Sequence, residues 1–203
     1  VHVLAPYDPD LVALDEGGVE VHRFRYVWPD RLCLAGHARS LRGDERLKPL
    51  VPLLMPGYVA AALVQALSLH RRIQFDVIHG HWAVPSGFVA GLLAQLTGVP
   101  LVVSLHGGGD VCLMQGSALY RAAGRYGFSR AARVTVCSHD MLRAAQEMGL
   151  QDGMVIPYGV DTARFACGRG DEMRRRLGLP ADALVVGALG RLTGIKGFQH
   201  LVA

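Results

Sequence analysis

Pro100-Leu-Val-Val-Ser-Leu-His-Gly-Gly-Gly-Asp110 is an apolar, β-branched run that stops abruptly at a histidine, three glycines and an aspartate. Such a run reads as a strand of a buried, parallel sheet. One or two glycines suffice for a turn. Three suggest a strand end where a ligand comes close to the backbone and its N–H groups. The same glycines also fit an ordinary turn that needs no ligand.

The pattern repeats on both sides of this stretch. Asp76-Val-Ile-His79 reads as a strand, followed by a helix from about Ser86 to Thr97 that Gly98 closes. A helical stretch from about Ser117 to Ala131 follows the 100–105 strand, and Arg133-Val-Thr-Val-Cys137 is the next strand. Ser138 is placed to cap a helix ending at Gly149, and Met154-Val-Ile156 is a fourth strand. This alternation implies an α/β fold, a parallel sheet with helices on both faces.

The earlier part is less regular. Val1 to Ala5 reads as a strand already under way, and Val19 to Val27 alternates as a strand does. Residues 28 to about 56 show no period and are expected to form a long loop, with a helix from about Tyr58 to Arg72. The apolar stretch Leu50 to Leu69 contains Pro52, Pro56 and Gly57. These are expected to break its first third and leave it short of the roughly 20 residues a membrane span needs.

After Ile156, Pro157 to Asp161 is a turn, Asp171 to Leu177 a short helix, and Ala183 to Leu189 the expected first strand of a second domain. The predicted organisation is therefore a domain over 1–160, a linker and short helix over 161–182, and the start of another domain over 183–203. Both ends read as cut, so the domains are expected to be truncated.

Half of the residues are hydrophobic (51%) and 19% are charged, which permits a packed core and argues against disorder. The net charge of +4 fits an anionic small molecule, an acidic membrane surface or nucleic acid equally well and does not select a partner by itself. Cys33, Cys112, Cys137 and Cys167 lie far apart without a CxxC pair, which argues for a reducing compartment and against a disulfide framework.

Each unusual polar cluster directly follows a predicted strand: His79-Gly-His81-Trp82, His106-Gly-Gly-Gly-Asp110, Cys137-Ser138, Tyr158-Gly-Val-Asp161, and Gly190-Arg-Leu-Thr-Gly-Ile-Lys-Gly197. Open α/β sheets bind ligands at the carboxyl ends of their strands, so the clusters point to a cleft along that edge. Arg191 and Lys196, five apart among glycines and just before a helix, suit a phosphate or diphosphate, although the same charges also fit a solvated turn. Neither the G-x-G-x-x-G nor the P-loop fingerprint is present. His79, His81 and His106 admit a second reading as metal ligands, with no evident carboxylate to complete the set.

In order, Asp76-Val-Ile-His-Gly-His-Trp-Ala-Val-Pro-Ser-Gly87, the His106-Gly strand end, Val155-Ile-Pro-Tyr-Gly-Val-Asp-Thr-Ala-Arg-Phe165 and Gly190-Arg-Leu-x-x-x-Lys-Gly197 resemble the family-4 glycosyltransferases. These are retaining enzymes of the GT-B fold, with two facing Rossmann-like domains. The resemblance implies that Gly190, Arg191 and Lys196 bind the donor diphosphate and that His106 stands at the catalytic centre. It places His79, His81, Trp82 and Gly107 on the acceptor side, and Gly159 and Asp161 in the interdomain hinge. It implies a nucleotide-sugar donor, a glycan or lipid-linked acceptor, no metal or other cofactor, and no nucleic acid. The reducing compartment read from the cysteines gives the expectation of a cytoplasmic setting, with peripheral contact at the inner face of the membrane as a further expectation. Arg39, Arg42, Arg46 and Lys48 ahead of the apolar segment suit that contact, or a solvated basic loop. The family's glycine-rich loop after its first strand and its paired-glutamate region are absent, and Tyr158 and Ile195 depart from the family's frequent choices. The chain is expected to be inactive alone. The alternatives are a metal-dependent hydrolase built on the three histidines and a non-catalytic nucleotide-sugar-binding domain.

Overall fold

A computed structural model describes residues 1–9, 17–35, 41–42, 46–166, 168–190, 192 and 194–201. In chain order the elements are β1 (His2–Pro6), β2 (Glu20–Phe24), β3 (Leu41–Arg42), β4 (Arg46–Leu47), α1 (Leu50–Ile73), β5 (Ile78–His81), α2 (Phe88–Thr97), β6 (Leu101–Leu105) and α3 (Gly108–Gly116). They continue with α4 (Ala118–Arg130), β7 (Arg133–Val136), α5 (His139–Glu147), β8 (Met154–Val155), α6 (Thr162–Ala166), α7 (Gly170–Leu177) and α8 (Phe198–Leu201). The described residues fall into two compact units, the first ending at Pro157 and the second running on from Tyr158.

Among the described residues, the first unit holds all the strands. β5, β6, β7 and β8 form a parallel sheet in that order, β1 and β2 a separate parallel pair, and β3 and β4 a short antiparallel pair. Leu101, Val103 and Leu105 alternate along β6 on one face, beside Val134 and Val136 of β7, and all five are buried. They pack with Ala90, Leu93 and Ala94 of α2 and Phe128 of α4. Each such aliphatic side chain contributes about 1.5–3 kcal/mol when fully buried. A second cluster joins Phe24 of β2 to Val51, Tyr58 and Ala62 of α1, with the rings of Phe24 and Tyr58 edge to face at 5.0 Å.

The helix α1 corrects the sequence reading. It runs unbroken for 24 residues through Pro52, Pro56 and Gly57. Pro52 lies in the first turn, where a missing N–H costs nothing. Pro56 is interior and leaves one carbonyl of the preceding turn without its partner. The buried stripe Val51, Tyr58, Ala62, Ala66 and Leu69, the first four of them in the two core clusters, carries the helix across this defect. Gly57 permits the close approach, since a Cβ there would stand 2.9 Å from the Tyr26 carbonyl oxygen. By length and composition α1 suffices to cross a membrane, but one face of it is built into this core.

A glycine seam sets the distance between α2, α4 and the turn at 83–87. A Cβ on Gly127 would meet the Gly87 carbonyl oxygen at 2.9 Å, and one on Gly91 would meet the Gly127 Cα at 3.3 Å. Only side chains of a single hydrogen fit.

In the second unit the expected strand over 183–189 is absent: no strand pairing involves these residues, and Leu184 and Leu189 are fully exposed. A strand needs a neighbour to share its ladder, and among the described residues none lies beside it.

Gly127→Ala is expected to lower stability by about 1–3 kcal/mol, because backbone atoms cannot yield to the new methyl group. Gly116→Ala, where a Cβ would meet nothing within 4 Å, is expected to change it by no more than about 0.5 kcal/mol. Urea denaturation of the two variants checks this.

Candidate active site

β5 begins two residues later than the sequence suggests. Ile78 donates to the Pro100 carbonyl at 2.9 Å and pairs with Leu101, so the ladder starts there, while Asp76 and Val77 stay exposed. His79 and His81 thereby fall inside the strand and, two residues apart, share one face. Ile78 and Gly80 take the buried face.

The register of β5 on β6 pairs His81 with Ser104. This brings His81 Nδ1 within 2.7 Å of His106 Nε2, just beyond the carboxyl end of β6, with the two rings stacked at 4.9 Å. His79 points its Nε2 at Ser104 Oγ instead, at 2.7 Å, and Ser104 Oγ lies 2.7 Å from Thr135 Oγ1 on β7. A polar chain thus crosses three adjacent strands. Ser104 is the one buried polar side chain among the described residues, and these two bonds satisfy it. Sequence reading missed Ser104 and Thr135. Their signal is a hydroxyl residue within each β-branched run, but only the register reveals the contact.

Trp82 completes the rim. Its ring lies 5.9 Å from that of His106 and it is 45% exposed. Its backbone has φ 75° and ψ 142°, a region that disfavours any residue with a Cβ and costs about 1–3 kcal/mol. Two hydrogen bonds hold it there: Trp82 N–H donates to the Ser104 carbonyl and Gly87 N–H donates to the Trp82 carbonyl, each at 2.9 Å. Backbone strain of this kind is characteristic of ligand sites.

The three glycines resolve differently from the expected turn. Only Gly107 is a linker; Gly108 and Gly109 already form the first turn of α3. Around Gly107 a Cβ would meet nothing within 4 Å, so the space beside His106 is open, whereas Gly109 lies against the Trp82 ring.

Burial, and then the neighbouring imidazoles of His79 and His106, hold His81 below the ordinary histidine value of 6.5. Burial and then His79 lower His106 in the same way. The pair is therefore neutral at physiological pH, a set of hydrogen-bonding groups rather than cations.

The other clusters are partly structural. Ser138 Oγ accepts from Met141 N–H at 3.1 Å and caps α5. Asp161 Oδ1 accepts from Arg164 N–H at 3.0 Å and caps α6, while Gly159 is exposed with open space around it. In the second unit Gly190 lies close to Lys196, whose Cγ would stand 4.0 Å from a Cβ on the glycine. Lys196 ends the 3₁₀ turn Gly194–Lys196 and is exposed. Arg191 lies outside the described residues, as do Arg39 and the side chains of Arg42 and Arg46. A concavity of about 1160 Å³ at the amino ends of β7 and β8 contains none of the candidate residues.

Residues 1–159 match the model of the glycosyl transferase 4-like domain. The chain belongs to this glycosyltransferase family. It is 31% identical over 181 residues to the Bacillus subtilis protein named as teichuronic acid biosynthesis glycosyltransferase, covering 80% of this chain and 46% of that one. It is 34% identical over 180 residues to the D-inositol 3-phosphate glycosyltransferase of Acidothermus cellulolyticus, covering 82% and 38%. The chain thus spans less than half the length of these relatives. The solved sucrose-phosphate synthase of Thermosynechococcus elongatus aligns over 100% of this chain and 48% of its own, with a TM-score of 0.68 at 20% identity. That likeness is one of fold, and it bears out the Rossmann-like α/β architecture. Nothing in these matches favours the hydrolase reading; the His79 ring lies 4.2 Å from that of His81, but its Nε2 is directed at Ser104 Oγ.

The histidine pair also sets a pH dependence. The folded state holds both rings less basic than the unfolded chain does, so protonation favours unfolding. This contribution is whole above 6.5 and is lost as pH falls through the lowered folded values. Urea midpoints measured on either side of 6.5 are expected to fall in acid, and to fall less in a His81→Gln, His106→Gln variant.

Proposed function

We propose that this chain supplies the acceptor-side domain and the first donor-binding loop of a retaining glycosyltransferase. The intact enzyme transfers a sugar from a nucleotide-sugar to a glycan or lipid-linked acceptor. Residues 1–160 form the acceptor-side domain, Gly159 and Asp161 the hinge, and 183–203 the beginning of the donor-binding domain.

The observation that carries this reading is the contact between His81 and His106 at the carboxyl rim, beside the open space at Gly107 and the strained Trp82. Neutral imidazoles and an exposed indole suit sugar hydroxyls and ring faces, which need directional hydrogen bonds and apolar contact more than charge. His106 faces the donor sugar at the reacting carbon. His79, His81, Trp82 and Gly107 line the acceptor side.

The charge work falls to Arg191 and Lys196, with Gly190 leaving room for the diphosphate. As the bond from the anomeric carbon to the phosphate oxygen breaks, its electron pair leaves with the diphosphate, and the two cations stabilise that charge. The acceptor hydroxyl forms the new bond on the same face and its proton passes to a phosphate oxygen of the leaving group. This route requires neither a carboxylate base nor a metal in the transfer step. The enzyme works in the cytoplasm, where the basic run before α1 meets the inner face of the membrane that carries lipid-linked acceptors.

Release of nucleoside diphosphate by the intact enzyme tests the proposal. Arg191→Ala and Lys196→Ala are each expected to lower kcat/KM by about 10²–10³-fold, the usual loss when a group stabilising transition-state charge is removed. Unchanged turnover in both would overturn it.

A further inference from the structure

A second histidine cluster lies away from the rim described above. The parallel register of β1 on β2 sets His2 opposite Glu20 and Leu4 opposite His22, so that His2, Glu20 and His22 share one face at the amino ends of both strands. The candidate transfer residues His81 and His106 instead lie at the carboxyl ends of theirs.

Three ligand atoms converge there. His2 Nδ1 lies 3.2 Å from His22 Nε2 and 3.4 Å from a carboxylate oxygen of Glu20, and His22 Nε2 lies 3.4 Å from the other oxygen of Glu20. Among the described residues this is the one group of three such side chains whose ligand atoms lie close enough to share an ion. An ion bound at about 2.0–2.1 Å holds tetrahedral ligands roughly 3.3–3.4 Å apart. The two nitrogens, 3.2 Å apart, approach that spacing, and each has a different oxygen of Glu20 at 3.4 Å, so either oxygen can complete the set.

The donor set is selective. Two imidazoles and a carboxylate suit zinc, while magnesium and calcium take oxygen ligands. The backbone is already in place, because hydrogen-bonded strands carry all three residues. The His22 side chain is only 15% exposed and the two rings stack at 5.5 Å, so little ordering remains to be done on binding. Glu20 is 63% exposed, which leaves the fourth position to water.

We propose that His2, Glu20 and His22 form a zinc site that clamps β1 to β2. Among the described residues these two strands form a sheet of their own, with no ladder to the four-stranded sheet, so a metal clamp between them adds a connection that backbone pairing to other described strands does not supply. The site plays no part in sugar transfer and stands whether or not the transfer reading holds.

Titration of the full chain with Zn²⁺ tests this, with Co²⁺ as a spectroscopic probe. One equivalent of zinc is expected to bind and to raise the unfolding temperature, and Co²⁺ to give the intense visible absorption of a tetrahedral site. Glu20→Gln and His22→Asn are each expected to weaken zinc binding by more than the 10–100-fold typical of losing an outer-shell partner. A His81→Asn, His106→Asn variant is expected to keep the equivalent. Glu20 is exposed, so Glu20→Gln reads the site even if the His22 variant folds poorly. Absence of a bound equivalent, a weak octahedral Co²⁺ spectrum, or zinc affinity undiminished in Glu20→Gln would overturn the proposal.

Discussion

The parallel register of β5 on β6 is the constraint from which the candidate site follows. It places His81 beside Ser104, and so within reach of His106 one turn of chain later, while His79 reaches the Ser104 hydroxyl. A slip of one residue would turn both β5 histidines onto the face that holds Ile78 and Gly80 and bury them unpaired. Burial of Ile78 opposes that slip, because it would leave the core as the histidines entered it. Core packing and site geometry thus have the same physical origin.

Rigidity at the rim comes from close backbone packing. Gly87 and Gly127 let α4 approach the turn that follows Trp82, and the Gly87 N–H holds the Trp82 carbonyl in its unfavourable backbone region. Strain at the tryptophan is thus borne from both sides, by the Ser104 carbonyl on the strand side and by the Gly87 N–H across the turn. Partial burial keeps those histidines uncharged. Uncharged imidazoles suit hydroxyl groups better than phosphate, so in the proposed transfer the diphosphate falls to a separate cationic loop.

Much of this was legible in the residues. The β-branched runs separated by glycine and capped helices announce the parallel sheet, and Ser138 caps α5 as its position suggests. The misses share one cause, the weight of tertiary contacts over local preference. Three glycines after His106 look like a turn, yet two of them open α3. Two prolines look like a break in α1, yet a buried stripe of five side chains carries the helix through. Ala183 to Leu189 has the composition of a strand and no partner to make it one. Contacts between strands are the least legible of all: neither the bond from His79 to Ser104 nor the grouping of His2 with His22 follows from sequence spacing, because both depend on which strands pair and in what register.

The proposed sugar transfer depends on His81 and His106 acting together, and a double-mutant cycle on kcat/KM of the intact enzyme measures that directly. With His81→Ala, His106→Ala and the pair, the coupling energy is predicted to exceed about 1 kcal/mol, since each ring positions the other. Losses that add to within about 0.3–0.5 kcal/mol, or turnover indifferent to either residue, would contradict it.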